Sequence, residues 1–136
     1  MSKLAVVYWT MTGNTEAMAQ AVADGATDAD IIAVADFSAD KVADYDAFAF
    51  GCPAMGAEEL DTDEFEPVWD ECCSEFGDKP VGLFGSYDWG TGEWMETWKS
   101  NAEEAGVKVV DTVIANLEPD DDAIEALKNL GAKLSA

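Results

Sequence analysis

Thr10-Met-Thr-Gly-Asn-Thr15 gathers three threonines, an asparagine and a glycine between an apolar run and a helical pattern. Successive backbone N–H groups in such a segment can form an anion nest, strengthened by the positive end of the following helix dipole. Gly13 permits a tight backbone there. The segment has no lysine and matches neither G-x-x-x-x-G-K-[ST] nor G-x-G-x-x-G. That favours a single phosphomonoester over a triphosphate with magnesium or a dinucleotide. The same residues also suit plain helix capping, with Thr12 or Asn14 as the N-cap. Two later loop segments, Cys52-Pro-Ala-Met-Gly-Ala57 and Ser86-Tyr-Asp-Trp-Gly90, carry Met55, Tyr87 and Trp89. These side chains either sandwich a flat ring or fold back onto the core.

Absent residue types narrow the chemistry. The chain holds no histidine and no arginine. It therefore lacks the commonest general base and metal ligand, and the bidentate clamp used on a transferring phosphoryl group. A Ser-His-Asp hydrolase is excluded, as is a cysteine phosphatase that needs a loop arginine. Cys52, Cys72 and Cys73 show no metal spacing and no C-x-x-C pair, and read as reduced, mostly buried, small apolar residues. Seven lysines face 29 acidic residues, a net charge of −22 over 136 residues. Such a surface repels nucleic acid and anionic lipid. It either speeds encounter with basic protein faces or serves solubility alone.

The positioning elements follow from periodicity. Lys3 to Trp9 is a strand buried on both faces, and residues 16–26 form a helix with Ala17, Ala21 and Val22 on its inner face and Met18 close by. A short strand at Ile31–Val34, a helical turn at Ser38–Val42 and a buried strand at Asp46–Gly51 come next. Thr62 is an N-cap candidate for a helix from Asp63 to about Phe76, with Phe65, Val68, Trp69 and Cys72 on one face. Lys79–Gly85 is a fourth strand, and residues 86–92 a loop. Glu93–Ala105 is a helix ended by Gly106, Val107–Ala115 a fifth strand, and Ala123 to about Leu134 a last helix. Alternating strands and helices specify an α/β fold, a doubly wound parallel sheet with helices on both faces, as one domain over residues 1–136. Ligands bind such sheets at the carboxyl ends of the strands, where the loops after strands one, three and four converge. The longest apolar run, Leu4–Trp9, is six residues, against the ~20 a membrane helix needs. Met1-Ser2-Lys3 leads straight into the first strand, so no signal peptide and a cytoplasmic location are expected.

Thr10-Met-Thr-Gly-Asn-Thr-Glu16, Gly51-Cys-Pro-Ala-Met-Gly56 and Leu83-Phe-Gly-Ser-Tyr-Asp-Trp-Gly90, in this order, resemble the short-chain flavodoxins of anaerobic bacteria. The resemblance spans nearly the whole chain. It implies strand order 2-1-3-4-5, the order that flavodoxins exemplify for this class of sheet. It also implies non-covalent FMN in a low-potential, monomeric, one-electron carrier. Such a carrier shuttles between semiquinone and hydroquinone and serves redox enzymes in place of ferredoxin. Its partners would be transient and basic-faced, namely ferredoxin-type oxidoreductases and a flavodoxin reductase.

By the same resemblance Thr10, Met11, Thr12, Gly13, Asn14 and Thr15 hold the phosphate. Met55 covers the inner face of the isoalloxazine and Trp89 the outer face. The Gly56–Ala57 peptide faces flavin N5, and Glu58 accepts from N3–H. Ala54, Ser86, Tyr87, Asp88 and Gly90 line the ring and ribityl chain, and Asn116 reaches the ribityl group. Two positions depart from the family's habit: Asp88 stands where glycine is frequent, and Ala57 where aspartate or another small residue is. Both bear on potentials rather than on the choice of cofactor. The negative protein and apolar ring walls should lower the second reduction potential by disfavouring a charged flavin. A competing reading is a small FMN-dependent oxidoreductase of quinone-reductase type, which would need a substrate pocket over the flavin.

Overall fold

Leu4, Ala5, Val6 and Val7 are all fully buried, which a strand achieves only when both faces of its sheet are covered. The computed structural model describes residues 3–9, 14–26, 28–52, 65–77, 79–87, 93–116 and 120–135. Its strands are β1 (Leu4–Tyr8), β2 (Ala29–Ala33), β3 (Ala47–Gly51), β4 (Pro80–Tyr87) and β5 (Lys108–Asn116). Its helices are α1 (Asn14–Gly25), α2 (Phe65–Cys73), α3 (Glu93–Glu104) and α4 (Asp121–Ser135), with 3₁₀ turns at Val34–Asp36 and Ala39–Asp44. All pairings are parallel, in the order β2-β1-β3-β4-β5. The chain steps outward from β1 to β2, then returns past β1 to β3, so the winding direction reverses beside β1.

Alternation along the strands builds two cores. Ala5, Val7, Phe48, Phe50, Val81 and Leu83 face α2 and α3, where Phe65, Trp69, Cys72, Trp94, Met95 and Trp98 meet them. Leu4, Val6, Ala47, Ala49 and Phe84 face α1 and α4, against Met18, Val22, Leu127, Leu130 and Leu134. One extra residue on β5, between Val109 and Asp111, shifts the register opposite Val81 and Gly82. Beyond this bulge the odd-numbered Val113 and Ala115 turn to the α4 side, whereas Val109 packs on the other. Helices α1 and α4 touch backbone to backbone. A Cβ on Gly131 would lie 2.0 Å from the Val22 carbonyl oxygen.

The elements follow the periodicity, with informative shifts. α1 begins at Asn14, and its inward face carries Thr15, Met18, Ala19 and Val22, while Ala17 is exposed. β2 starts and ends earlier than its apolar residues indicate, because Val34 leaves the strand to bury itself in a 3₁₀ turn. The turn expected at Ser38–Val42 is the 3₁₀ segment Ala39–Asp44. α2 stops at Cys73, three residues early, followed by a turn with Gly77 at φ +58°. Its expected cap, Thr62, lies outside the described residues. Gly106 ends the α3 segment at φ +90°, as expected of a C′ glycine. α4 starts at Asp121, two residues before the first apolar one, because the Asp120 carboxylate accepts from the Ala123 N–H at 2.8 Å. β4 runs on through Ser86 and Tyr87, which were expected in a loop, since they pair with Ala115 and Asn116 of β5.

None of the three cysteines is in a disulfide; Cys52 and Cys72 are buried and Cys73 half-buried. Burial pushes Cys72 up to about 12, helped by Cys73, Glu71 and Glu75; burial and then the Asp70 charge do the same to Cys73. Both remain protonated at neutral pH and act as small apolar fillers. Among the described residues no helix is long and apolar enough to cross a membrane.

Candidate functional site

Backbone hydrogen bonds stitch the carboxyl ends of the three central strands together. The Trp9 N–H donates to the Gly51 carbonyl at 3.0 Å, and the Cys52 N–H to the Phe84 carbonyl at 3.1 Å. The segments that leave β1, β3 and β4 therefore start side by side. A Cβ on Gly85 would lie 2.2 Å from the Cys52 carbonyl oxygen, so only glycine lets the ends of β3 and β4 approach this closely.

Each helix runs antiparallel to the strands, so the N-termini of α1 to α4 open toward this end of the sheet. Their dipoles place partial positive charge there. The lysines do not. Lys3 precedes β1, Lys41 lies in the turn before β3, Lys79 precedes β4 and Lys108 opens β5. Lys133 is in the last turn of α4, and Lys99 and Lys128 are mid-helix. The segments that follow β1, β3, β4 and β5 contain no lysine, but do contain Glu58, Glu59, Asp61, Asp63, Asp88 and Glu118. An anion bound here must rely on neutral donors and helix dipoles.

Two such donors are in place. Thr15, in the first turn of α1, and Ser86, near the end of β4, are 0% and 4% exposed. They are the only buried polar residues among those described. Their hydroxyl oxygens lie 3.2 Å apart, and either can donate. Each hydroxyl carries one proton, so the bond occupies one of two and leaves the other for an acceptor outside the pair.

Thr15, Ser86, Tyr87 and Asn116 are thus brought to one end of the molecule, with Tyr87 and Asn116 in register as the last residues of β4 and β5. Asn14 is the first residue of α1. Thr10, Met11, Thr12, Gly13, Ala54, Met55, Gly56, Ala57, Glu58, Asp88, Trp89 and Gly90 lie outside the described residues. The bond between Thr15 and Ser86 was not anticipated, nor was the need for glycine at position 85. A serine following the apolar run Val81–Phe84 was the one available signal of a buried hydroxyl needing a partner.

The sequence model of the family described as Flavodoxin matches residues 6–131. The chain belongs to the flavodoxin family. It is 45% identical over 119 residues to the flavodoxin of Megasphaera elsdenii, covering 85% of this chain and 87% of that one. It is 41% identical over 133 residues to that of Clostridium beijerinckii, covering 92% and 96%. In structure it is similar to two-electron reduced Megasphaera elsdenii flavodoxin in solution, with a TM-score of 0.88 and 41% identity over 96% of this chain and 98% of that one. The flavodoxin-like fold and the strand order that the resemblance implied are those observed. The chain is an FMN-binding electron carrier, not an enzyme, and the quinone-reductase alternative is set aside. The described residues fit FMN: a helix N-terminus and buried neutral hydroxyls suit its phosphate. The flavin supplies the electron-accepting chemistry, and the protein holds and tunes it.

Proposed function

We propose that residues 10–15 hold the FMN phosphate, that Met55 and Trp89 cover the two ring faces, and that residues 54–58, 86–90 and Asn116 line the rest of the flavin. The buried hydroxyl pair carries this reading, because it joins the start of α1 to the end of β4 at the one place where the described residues bury polar side chains. The decisive test is Trp89→Ala. The apo-protein should quench FMN fluorescence on binding, and the variant should lose most of the quenching. Its affinity should fall by roughly 1–3 kcal/mol, the scale of aromatic stacking on a base. Unchanged affinity and quenching would remove Trp89 from the site.

The carrier serves transient partners with basic faces, such as ferredoxin-type oxidoreductases and a flavodoxin reductase, as a monomer in the cytoplasm. Supporting this, the segments after β3, β4 and β5 are acidic and lack lysine, whereas Lys3, Lys41, Lys79 and Lys108 lie shortly before a strand or at its start, toward the opposite end of the sheet. A basic partner is therefore oriented toward the flavin end before contact. Electron-transfer rates to such a partner should fall steeply with salt, as the Debye length shortens from ~10 Å at 0.1 M to ~3 Å at 1 M. Stopped-flow rates that stay flat over that range would exclude electrostatic docking.

A further inference from the structure

The Thr15–Ser86 pair has two possible proton arrangements. If Thr15 donates to Ser86, the serine proton must find an acceptor at the end of β4. Ser86 shares its face of the sheet with Phe84, two residues back, and with its register partner Ala115 and Val113 on β5. None of these side chains accepts a hydrogen bond, and a buried hydroxyl proton without an acceptor is costly. If Ser86 donates to Thr15, the threonine proton is the free one. It lies in the first turn of α1, where helix N–H groups and the dipole already favour an anion.

We infer that Ser86 is a positioning residue for the phosphate: by donating to Thr15 Oγ1 it commits the Thr15 proton to the anion at the start of α1. This rests on the reading that residues 10–15 hold the FMN phosphate. It moves Ser86 from the ring and ribityl lining to the phosphate side of the site, acting through Thr15 rather than by touching the flavin. The pair also makes the arrangement specific for an acceptor. A phosphate oxygen completes the chain of donors from Ser86 through Thr15, whereas a ligand that ends in a hydroxyl gains less from it.

FMN and riboflavin separate these roles, since they differ only in the phosphate. Dissociation constants for both would be measured by fluorescence quenching with the apo-proteins of wild type, Ser86→Ala, Thr15→Ala and the double variant. Ser86→Ala should weaken FMN about tenfold, equivalent to about 1.4 kcal/mol, and leave riboflavin unchanged. Added to Thr15→Ala it should cause no further loss, because its effect runs through Thr15. Ser86→Cys keeps the shape of the site with a weaker donor and should show the same selective loss if the alanine variant folds poorly. Equal losses for FMN and riboflavin, or a full further loss in the double variant, would overturn the inference and return Ser86 to the ring lining. No loss of FMN affinity in either Ser86 variant would overturn it too. If Thr15→Ala itself left the preference for FMN over riboflavin intact, Thr15 would not be among the phosphate's donors, and the inference would fall whatever the other residues of 10–15 do.

Discussion

Replacing Gly85 by alanine should destabilise the protein and loosen its hold on FMN together. The added Cβ would stand 2.2 Å from the Cys52 carbonyl oxygen and 3.1 Å from the Trp94 ring. Backbone cannot swing aside as a flexible side chain can, so the ends of β3 and β4 must separate. Overpacking of this kind costs about 1–3 kcal/mol, and a clash with backbone belongs at the top of that range. The separation falls where the Cys52 N–H meets the Phe84 carbonyl, at the root of the segments assigned to the flavin ring. FMN affinity should fall roughly tenfold or more, equivalent to at least about 1.4 kcal/mol. Gly77→Ala is the control. Gly77 sits at φ +58° with open space around its Cβ position, on the turn between α2 and β4. It should cost about 1–2 kcal/mol of backbone strain and leave FMN binding alone. Denaturant unfolding of the apo-proteins and FMN titrations measure both quantities. If Gly85→Ala bound FMN like wild type while Gly77→Ala did not, the close approach of β3 and β4 would have no part in building the site.

What could be read from residue order alone depended on how local the cause was. β1 and β3 are legible because helices cover both their faces, so every position is apolar and no alternation has to be interpreted. Gly106 is legible because ending a helix needs a residue that tolerates positive φ. The inward face of α1 was only half legible. Alanine is at home in core and solvent alike, so Ala17 resembled an inward residue, while the buried Thr15 resembled a loop donor. Ser86 and Tyr87 resembled a loop because serine and nearby glycines are turn residues. They are strand because β5, more than twenty residues later, provides pairing partners. The Thr15–Ser86 bond joins residues 71 positions apart, and no periodicity points to it. The strand order was likewise beyond pattern, and came from the resemblance of three loops to a family.

Truncating Phe50 to alanine should have the largest effect on stability, and FMN should raise the variant back toward the stability of the apo wild type. Phe50 is fully buried, the penultimate residue of β3, in a ring cluster on the α2–α3 side. Its centroid lies 5.1 Å from that of Trp69, 5.6 Å from Phe76, 5.9 Å from Phe37 and 6.1 Å from Phe65. Four side chains, from α2, the turn after it and the segment after the first 3₁₀ turn, therefore lean on one ring, and they cannot all collapse into the space it leaves. A buried Phe→Ala change costs about 3–5 kcal/mol, against the roughly 5–15 kcal/mol that holds such a domain together. The apo-protein should show a strongly lowered unfolding midpoint. FMN binds the folded chain, so at a hundred times its dissociation constant it restores about 2.7 kcal/mol by mass action. Unfolding curves at a series of FMN concentrations separate two ways in which the variant can suffer. If Phe50 acts through the core alone, each increment of FMN should raise the stability of variant and wild type by the same amount, leaving two parallel lines. Smaller increments in the variant would mean that the disturbance reaches the end of β3, where Gly51 accepts from Trp9 at the root of the segment proposed to hold the phosphate. An apo-variant as stable as wild type would show that the ring cluster does not support the sheet. The short reach from Phe50 to Gly51, one residue along a strand, favours a mixture weighted toward the core, with lines that diverge slightly as FMN rises.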